Sequence, residues 1–290
     1  MFDYQLVRLA NGVHSVRSIT ENETFHPVVG PVEEARELYV EQLRLLERIV
    51  SAGREFVVWD VGLGAAANVL TVLEAAAKCN AKVRILSFDH TLRPLEFAVK
   101  HAVELGYPLP FVGELNALVR DSSVWFERGG LKVNWEVHIA DFPTVIAGSD
   151  AKMWPKPDAI LFDAFSPAKN PAMWTLPLFR RVFELLDTKR PCAMPTYSRS
   201  TMLRVTLLLA GFFVGTGSAI AEKDETTIAA NDLSLINRPL AADWLRRAKN
   251  STCAEPLKDA VYRRERLTDE SLRKLQAHPQ FVSVQSKTST

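Results

Sequence analysis

The sequence predicts an α/β fold with a mostly parallel sheet and helices on both faces, and three observations carry that prediction. Apolar runs of strand length alternate with segments of helical period from Phe56 to Ala230. Glycines punctuate the alternation, at Gly62 and Gly64, at Gly106 and at Gly211. Four successive strands end in or near an aspartate: Asp60, Asp89, Asp141 and Asp163. Alternation of this kind requires right-handed crossovers between parallel strands. Sheets built so bind ligands beyond the C-terminal ends of their strands, where the four aspartates fall.

The elements follow in order. Residues 1–30 read as short extended pieces with turns at Asn11-Gly12 and Gly30-Pro31. Leu38, Leu45 and Ile49, with Val40 and Leu46 beside them, predict one helix over 32–51, stopped by Gly53. Phe56–Val61 is the first strand of the main sheet, followed by a glycine turn and a helix over 66–78. A second strand spans 82–88 and a second helix 94–105, closed by Gly106. Residues 114–130 predict a short helix and a turn at Gly129-Gly130. Strands at 133–138 and 159–162, a helix at 178–186, a fifth strand at 192–197 and a helix at 200–210 come next. Residues 212–214 and 226–230 complete the sheet, and the polar end, 283–290, is expected to be disordered.

Composition narrows the class. At 290 residues the chain can bury one sizeable core, and 47% hydrophobic with 24% charged residues is ordinary for a globular protein. The longest largely apolar stretch, Leu207 to Val214, falls far short of the ~20 residues that span a bilayer. No signal-peptide pattern opens the chain. Cys79, Cys192 and Cys253 stand far apart, so neither a disulfide framework nor a structural zinc site is expected, and a cytoplasmic location fits. The histidines show no metal-ligand spacing, and no metal is expected. Net charge is +1, yet residues 241–290 carry ten Lys or Arg against six Asp or Glu. That excess suits either a solvated helix surface or contact with phosphates.

The strand ends carry the chemistry. The first ends VVWDVGLGAAANVL, where Gly62 and Gly64 let the backbone turn sharply and approach a ligand. A dinucleotide site is loosely satisfied by Gly62, Gly64 and Ala67, whereas Asp60, two places before the first glycine, suits the ammonium end of S-adenosylmethionine. Asp89 is placed to accept from ribose hydroxyls, or else to cap the next helix. Asp141 can receive an adenine amino group and Phe142 can pack on the base, or Asp141 too can be a cap. Taken together, the four aspartates favour an adenosine-bearing cofactor.

The fourth strand empties into FDAFSPAKNPAMWT, residues 162–175. This loop resembles the signature of the methyltransferase domain of the bacterial tRNA 5-methylaminomethyl-2-thiouridine methyltransferases (MnmC-type). The match runs through Asp163, Phe165, Pro167, Lys169, Asn170, Pro171, Met173 and Trp174. PVEEARELYVEQ (31–42), Asn68, Thr196-Tyr197-Ser198 and AGFFVGTG (210–217) are similar to flanking segments of that family. The resemblance implies a Rossmann-like class I methyltransferase fold over 54–240. A 1–53 extension packs on it, and 241–290 forms a basic helical extension with a disordered end. It further implies S-adenosylmethionine held by Asp60, Gly62, Gly64, Asn68, Asp89, Asp141, Phe142, Asp163, Ala164, Phe165 and Pro167. The substrate would be the aminomethyl group on the wobble uridine of tRNA. Some relatives carry a fused oxidase domain, for which 290 residues leave no room, so a separate enzyme would supply the aminomethyl-uridine.

The implied chemistry suits the loop. A neutral amine must be aimed at the methyl donor from ~3–3.5 Å. Asp163 is the expected catalytic residue, accepting from the amine and stabilising the developing ammonium. Phe165, Lys169, Asn170 and Trp174 are expected on the substrate, with Trp174 as a stacking partner for an extruded base. Trp174 and Met173 have a packing reading as well. His26 is either a pocket-edge residue or a structural one. The turn departs from the family pattern at Ala65-Ala66, where a glycine is usual; the extra methyl would crowd the cofactor. The basic run expected after the last glycines is reduced to Lys223. Three other readings stay open: transfer to a small amine, an RNA-binding module without turnover, and an NAD oxidoreductase.

Overall fold

The computed structural model describes residues 3–219 and 225–285. Lys223 lies outside them. The chain opens with β1 (Tyr4–Arg8), β2 (His14–Ser18) and β3 (Glu23–Thr24), a small antiparallel sheet in that order. There follow α1 (Pro31–Ala35), a π-helical turn (Arg36–Glu41), α2 (Leu45–Ser51), β4 (Phe56–Val61), α3 (Ala67–Ala76), β5 (Ala81–Asp89) and α4 (Arg93–Lys100). Next are α5 (Val112–Asp121), β6 (Ser123–Arg128), β7 (Leu131–Ile139), α6 (Phe142–Ala147), β8 (Ala159–Phe162), α7 (Leu176–Leu185) and β9 (Ala193–Thr196). The remainder is α8 (Thr201–Ala210), β10 (Phe213–Thr216), β11 (Thr227–Ala230), α9 (Trp244–Asn250), α10 (Asp269–Gln276) and α11 (Pro279–Gln285). Two compact units result. The first joins Met1–Phe142 to Pro157–Asp163 and Ser218–Asp224; the second joins Pro143–Lys156 to Ala164–Gly217 and Glu225–Thr290.

In the first unit the strand order is β8-β4-β5-β7-β6, parallel except for β6. Every residue of β4 is buried, as a central parallel strand with both faces covered requires. The chain leaves β4 toward β5 and β7 on one side and returns as β8 on the other. The order therefore reverses at β4, and it is beyond the C-terminal end of such a strand that sheets of this kind bind ligands. Asp158 fixes the start of β8. It is 2% exposed, takes two bonds from the Arg54 guanidinium at 2.7 and 3.0 Å, and accepts from Val57 N at 2.8 Å. Asp158→Asn keeps the shape but breaks the charged fork, and is expected to cost about 2 kcal/mol in urea unfolding.

In the second unit β11 lies between β9 and β10, antiparallel to both. Arg204, 1% exposed, reaches from α8 to Thr227 Oγ1, Thr226 O and Glu225 Oε1 at 2.9–3.0 Å, fixing the entry to β11. Thr175, Ser200 and Thr268 cap α7, α8 and α10 through their hydroxyls. The buried Gln280 amide accepts from Val214 N and donates to Val214 O, both at 2.8 Å, tying α11 to β10.

The structure departs from the sequence expectation in five places. The helix over 32–51 is not continuous. Leu38, Tyr39 and Val40 are buried in succession, which the widened π-turn allows. The helix then breaks at Arg44, φ 48°, and Leu46 is left exposed. Within 114–130 the chain forms β6 as well as α5, because Gly129-Gly130, both at positive φ, make a two-residue hairpin turn into β7. The helix over 94–105 ends regularly at Lys100. The helix α11 runs to Gln285, so residues 283–285 are helical, and 286–290 lie outside the described residues. Between α9 and α10, residues 252–267 form neither helix nor strand. The basic extension is thus three short helices around an irregular stretch.

Candidate active site

Asp60 closes β4 with its side chain buried, 1% exposed. Ser87 Oγ donates to its Oδ2 at 2.7 Å, and Trp135 Nε1 donates to Ser87 Oγ at 2.9 Å. Asp60 Oδ1 is buried with no hydrogen-bond partner. Burial pushes the Asp60 carboxyl up to about 7; the Ser87 bond opposes this, and the Asp163 and Asp89 charges add to it. Just beyond, Gly62 and Gly64 sit at φ 97° and 51°. A Cβ on Gly64 would stand 3.3 Å from the Phe25 ring, so the turn needs glycine for both conformation and space.

Ala66 occupies the left-handed region at φ 63° as the residue before α3, where the family pattern has glycine. An alanine there is strained by about 1–2 kcal/mol, and glycine gives back about 0.5–1 through its freer unfolded chain. Ala66→Gly is therefore expected to stabilise the protein by about 0.5–1 kcal/mol in thermal or urea unfolding.

The Asp89 carboxylate is mostly enclosed, its Oδ2 accepting from Gly64 N at 2.8 Å. Its Oδ1 stands 3.1 Å from His90 Nδ1 and accepts from Thr91 N at 3.3 Å. Asp89 is not a helix cap, since Leu92 is the residue that precedes α4. Asp141 is exposed two residues past β7. Phe142 is buried, its ring 5.1 Å from that of Phe88. Its packing is against the core, and a base would meet only what remains of its edge.

Asp163 is where the structure gathers most. It directly follows β8, its N–H donating to Val61 O at 3.0 Å. Asn68 Nδ2, from α3, donates to Asp163 Oδ2 at 2.8 Å. His26 Nε2 stands 3.4 Å from the same oxygen, and His26 Nδ1 is 3.6 Å from Glu34 Oε1. The His26 side chain is 9% exposed. Burial lowers its pKa, but the charges of Asp163 and Glu34 outweigh that and raise it. The sequence predicts Asn68 and Asp163 at one site. It gives Glu34 no distinguishing signal and His26 two readings; the segment TFHPVVGPVEEA, which holds both, is the one pointer to them.

The rest of the loop belongs to the second unit and is braced from within. Tyr197 Oη donates to Ala164 O at 3.1 Å, and Trp174 Nε1 donates to Phe165 O at 2.7 Å. Ser166 O accepts from Lys169 N and Asn170 N, both at 2.9 Å, closing a turn that leaves Lys169 exposed. Phe165, Pro167 and Asn170 are partly exposed. Trp174 is 1% exposed, with Tyr197 edge-on at 6.2 Å. Its expected role as a stacking partner is corrected accordingly: no face of the ring is open to a base, and the indole braces the loop instead. Met173 is buried beside it.

These residues fit S-adenosylmethionine. A buried carboxyl oxygen without a donor at Asp60 suits an ammonium group, and the turn beside it carries no side chain of its own at Gly62 and Gly64. The comparisons with known proteins agree. The profile of a family described as S-adenosyl-L-methionine-dependent methyltransferase matches residues 119–232. The tRNA 5-methylaminomethyl-2-thiouridine biosynthesis bifunctional protein MnmC of Ectopseudomonas mendocina is 29% identical over 228 residues, covering 74% of this chain and 33% of that protein. Its counterpart in Methylibium petroleiphilum is 28% identical, covering 77% and 34%. The crystal structure of MnmC2 from Aquifex aeolicus superposes with a TM-score of 0.69 at 26% identity, covering 95% of this chain and 83% of that one. This chain is an S-adenosylmethionine-dependent methyltransferase that resembles the MnmC proteins. Its fold is the α/β methyltransferase fold with a small N-terminal sheet, as the alternation of elements predicts. The methyltransferase spans about a third of the length of the bifunctional relatives it matches. No helix among its described residues is long and apolar enough to cross a membrane.

Proposed function

We propose that this methyltransferase transfers a methyl group from S-adenosylmethionine to the 5-aminomethyl group of the wobble 2-thiouridine of tRNA. The observation that carries the reading is the Asp163 carboxylate, oriented by Asn68 and beside His26 at the end of β8. It lies in the same unit as the Asp60 and Gly62–Gly64 turn. Likeness to proteins named for 5-methylaminomethyl-2-thiouridine biosynthesis supports the choice of an amine on tRNA.

When bound, the cofactor supplies a methyl group on a cationic sulfur. The residues of the chain do the rest. Asp60 would take the cofactor's ammonium end and Asp89 its ribose hydroxyls, with Asp141 and Phe142 toward the adenine. Asp163 accepts a hydrogen bond from the substrate nitrogen, aims its lone pair and balances the positive charge that the product carries. Ala164, Phe165 and Pro167 would wall the cofactor side, and Phe165, Lys169 and Asn170 the substrate side.

The test is transfer of labelled methyl from S-adenosylmethionine into bulk tRNA taken from a strain lacking its own enzyme of this kind. Label in tRNA is the expected result. Label in free amines such as putrescine but never in tRNA would contradict it, and so would cofactor binding without transfer to either.

A further inference from the structure

His26 is built into this site at a cost. Its φ of 48° is the left-handed conformation, which disfavours any residue with a Cβ. Such positions persist where surrounding contacts hold them, and they cluster at functional sites. Here the imidazole is held between two carboxylates, Asp163 from the end of β8 and Glu34 from α1. The third neighbour, Asn68 of α3, is neutral and donates to the same Asp163 oxygen that faces His26. The Asp60 carboxyl, on β4, feels the charges of both Asp163 and Asp89.

The reaction leaves a proton to be dealt with. An aliphatic amine with a pKa near that of lysine, ~10.4, arrives as an ammonium and cannot attack until it loses one proton. A carboxylate of ordinary strength, ~3.9, is a poor place to leave that proton; an imidazole, ~6.5, is a better one.

We propose that His26 is the proton relay of Asp163, receiving through that carboxylate the proton that the substrate ammonium sheds before methyl transfer. This rests on the role given to Asp163 above. The nitrogen passes its proton to Asp163 Oδ2, and Asp163 passes it to His26 Nε2. Neutral amine, ionised Asp163 and imidazolium remain. The neutral tautomer that receives at Nε2 carries its hydrogen on Nδ1, on the Glu34 side, and the imidazolium then lies between two negative charges. Water takes the proton after the product leaves as a secondary ammonium, so one proton is released per turnover. His26 works in its neutral form, and its titration is raised by the two carboxylates. Turnover is therefore expected to fall as pH drops through a value above 6.5. His26 acts through Asp163 and is a positioning residue rather than one in contact with substrate.

The experiment is the pH profile of kcat/KM on tRNA for the wild type and for His26→Asn, asparagine being the side chain that best tolerates left-handed φ. The wild type is expected to show an acid limb from His26 and an alkaline limb near the substrate ammonium, ~10. His26→Asn is expected to be about 30-fold slower at neutral pH, below the 10²–10⁴ of a base in direct contact. Its profile should climb about tenfold per pH unit with no plateau, while its affinity for S-adenosylmethionine is unchanged. A variant profile that parallels the wild type overturns the relay. A second readout needs no activity: the His26 ring proton, followed by NMR, should titrate above pH 6.5 in the wild type and lower in Asp163→Asn. Equal midpoints in the two proteins overturn the coupling. Wild-type protein that moves no methyl to tRNA counts against the function proposed above, and the NMR titration then decides the His26–Asp163 coupling alone.

Discussion

Asp163→Asn is expected to slow single-turnover methyl transfer about 10³-fold at pH 8, with affinity for S-adenosylmethionine held within about threefold. The substitution keeps the shape and an oxygen for Asn68 Nδ2, so the end of β8 stays in place. What it removes is a negative charge where the substrate nitrogen becomes cationic. Misplacing one such electrostatic partner costs about 10²–10³ in rate, and loss of proton acceptance adds to it. The same change has a second effect of opposite sign. The Asp163 charge helps to raise the Asp60 pKa, so its removal lets Asp60 ionise at lower pH. At pH 6 the variant should therefore bind the cofactor slightly more tightly than the wild type while turning over far more slowly. Retained turnover would take Asp163 out of the chemistry.

Asp60→Asn is expected to weaken S-adenosylmethionine binding about 100-fold at pH 8 and, at the same pH, to stabilise the free protein. Both follow from a buried carboxyl whose pKa stands at about 7. In the unfolded chain it ionises near 3.9, so folding is penalised progressively as pH rises from about 4 to 7 and fully above. A gap of about three units corresponds to about 4 kcal/mol. Asparagine removes that penalty, but it puts an amide where Oδ1 is buried without a partner, at a cost of about 1–3 kcal/mol. The net gain at pH 8 is about 2 kcal/mol; it should vanish at pH ~5.5, where the ionisation penalty has shrunk to the cost of the amide, and become a loss of about 1–3 kcal/mol below pH ~4. On the proposed pairing of the ionised Asp60 with the cofactor's ammonium, affinity should rise about tenfold per pH unit between pH ~5 and ~7 and then level. Calorimetry at three pH values reads this directly. A flat profile would mean that Asp60 does not meet the ammonium.

Much of this site is legible in the sequence, because parallel α/β architecture puts function where strands end. Phe56–Val61 and Ala159–Phe162 form the strands their apolar runs predict, and the pairing of β4 with β8 makes the strand ends that carry Asp60 and Asp163 neighbours. What escapes is whatever depends on contacts distant in sequence. Ser87 and Trp135 read as ordinary strand residues, yet they are stacked behind Asp60. His26 and Glu34 precede the main sheet, and only folding brings them to Asp163. Trp174 shows the opposite limit: an aromatic residue in a signature loop suggests base stacking, while its burial against Tyr197 assigns it to bracing the turn. The single-helix reading of 32–51 fails for a local reason. Spacing alone does not reveal a π-turn that buries Leu38, Tyr39 and Val40 together.

The proposed reaction adds one methyl group to an aminomethyl nitrogen of the wobble uridine. Mass spectrometry reads it in nucleosides digested from tRNA that carries 5-aminomethyl-2-thiouridine, after incubation with the protein and S-adenosylmethionine. Loss of that nucleoside is expected, with matching gain of the species heavier by one CH2 and the methyl on the side-chain nitrogen. Unchanged 5-aminomethyl-2-thiouridine, in a reaction where the cofactor is bound or its methyl appears elsewhere, would contradict it.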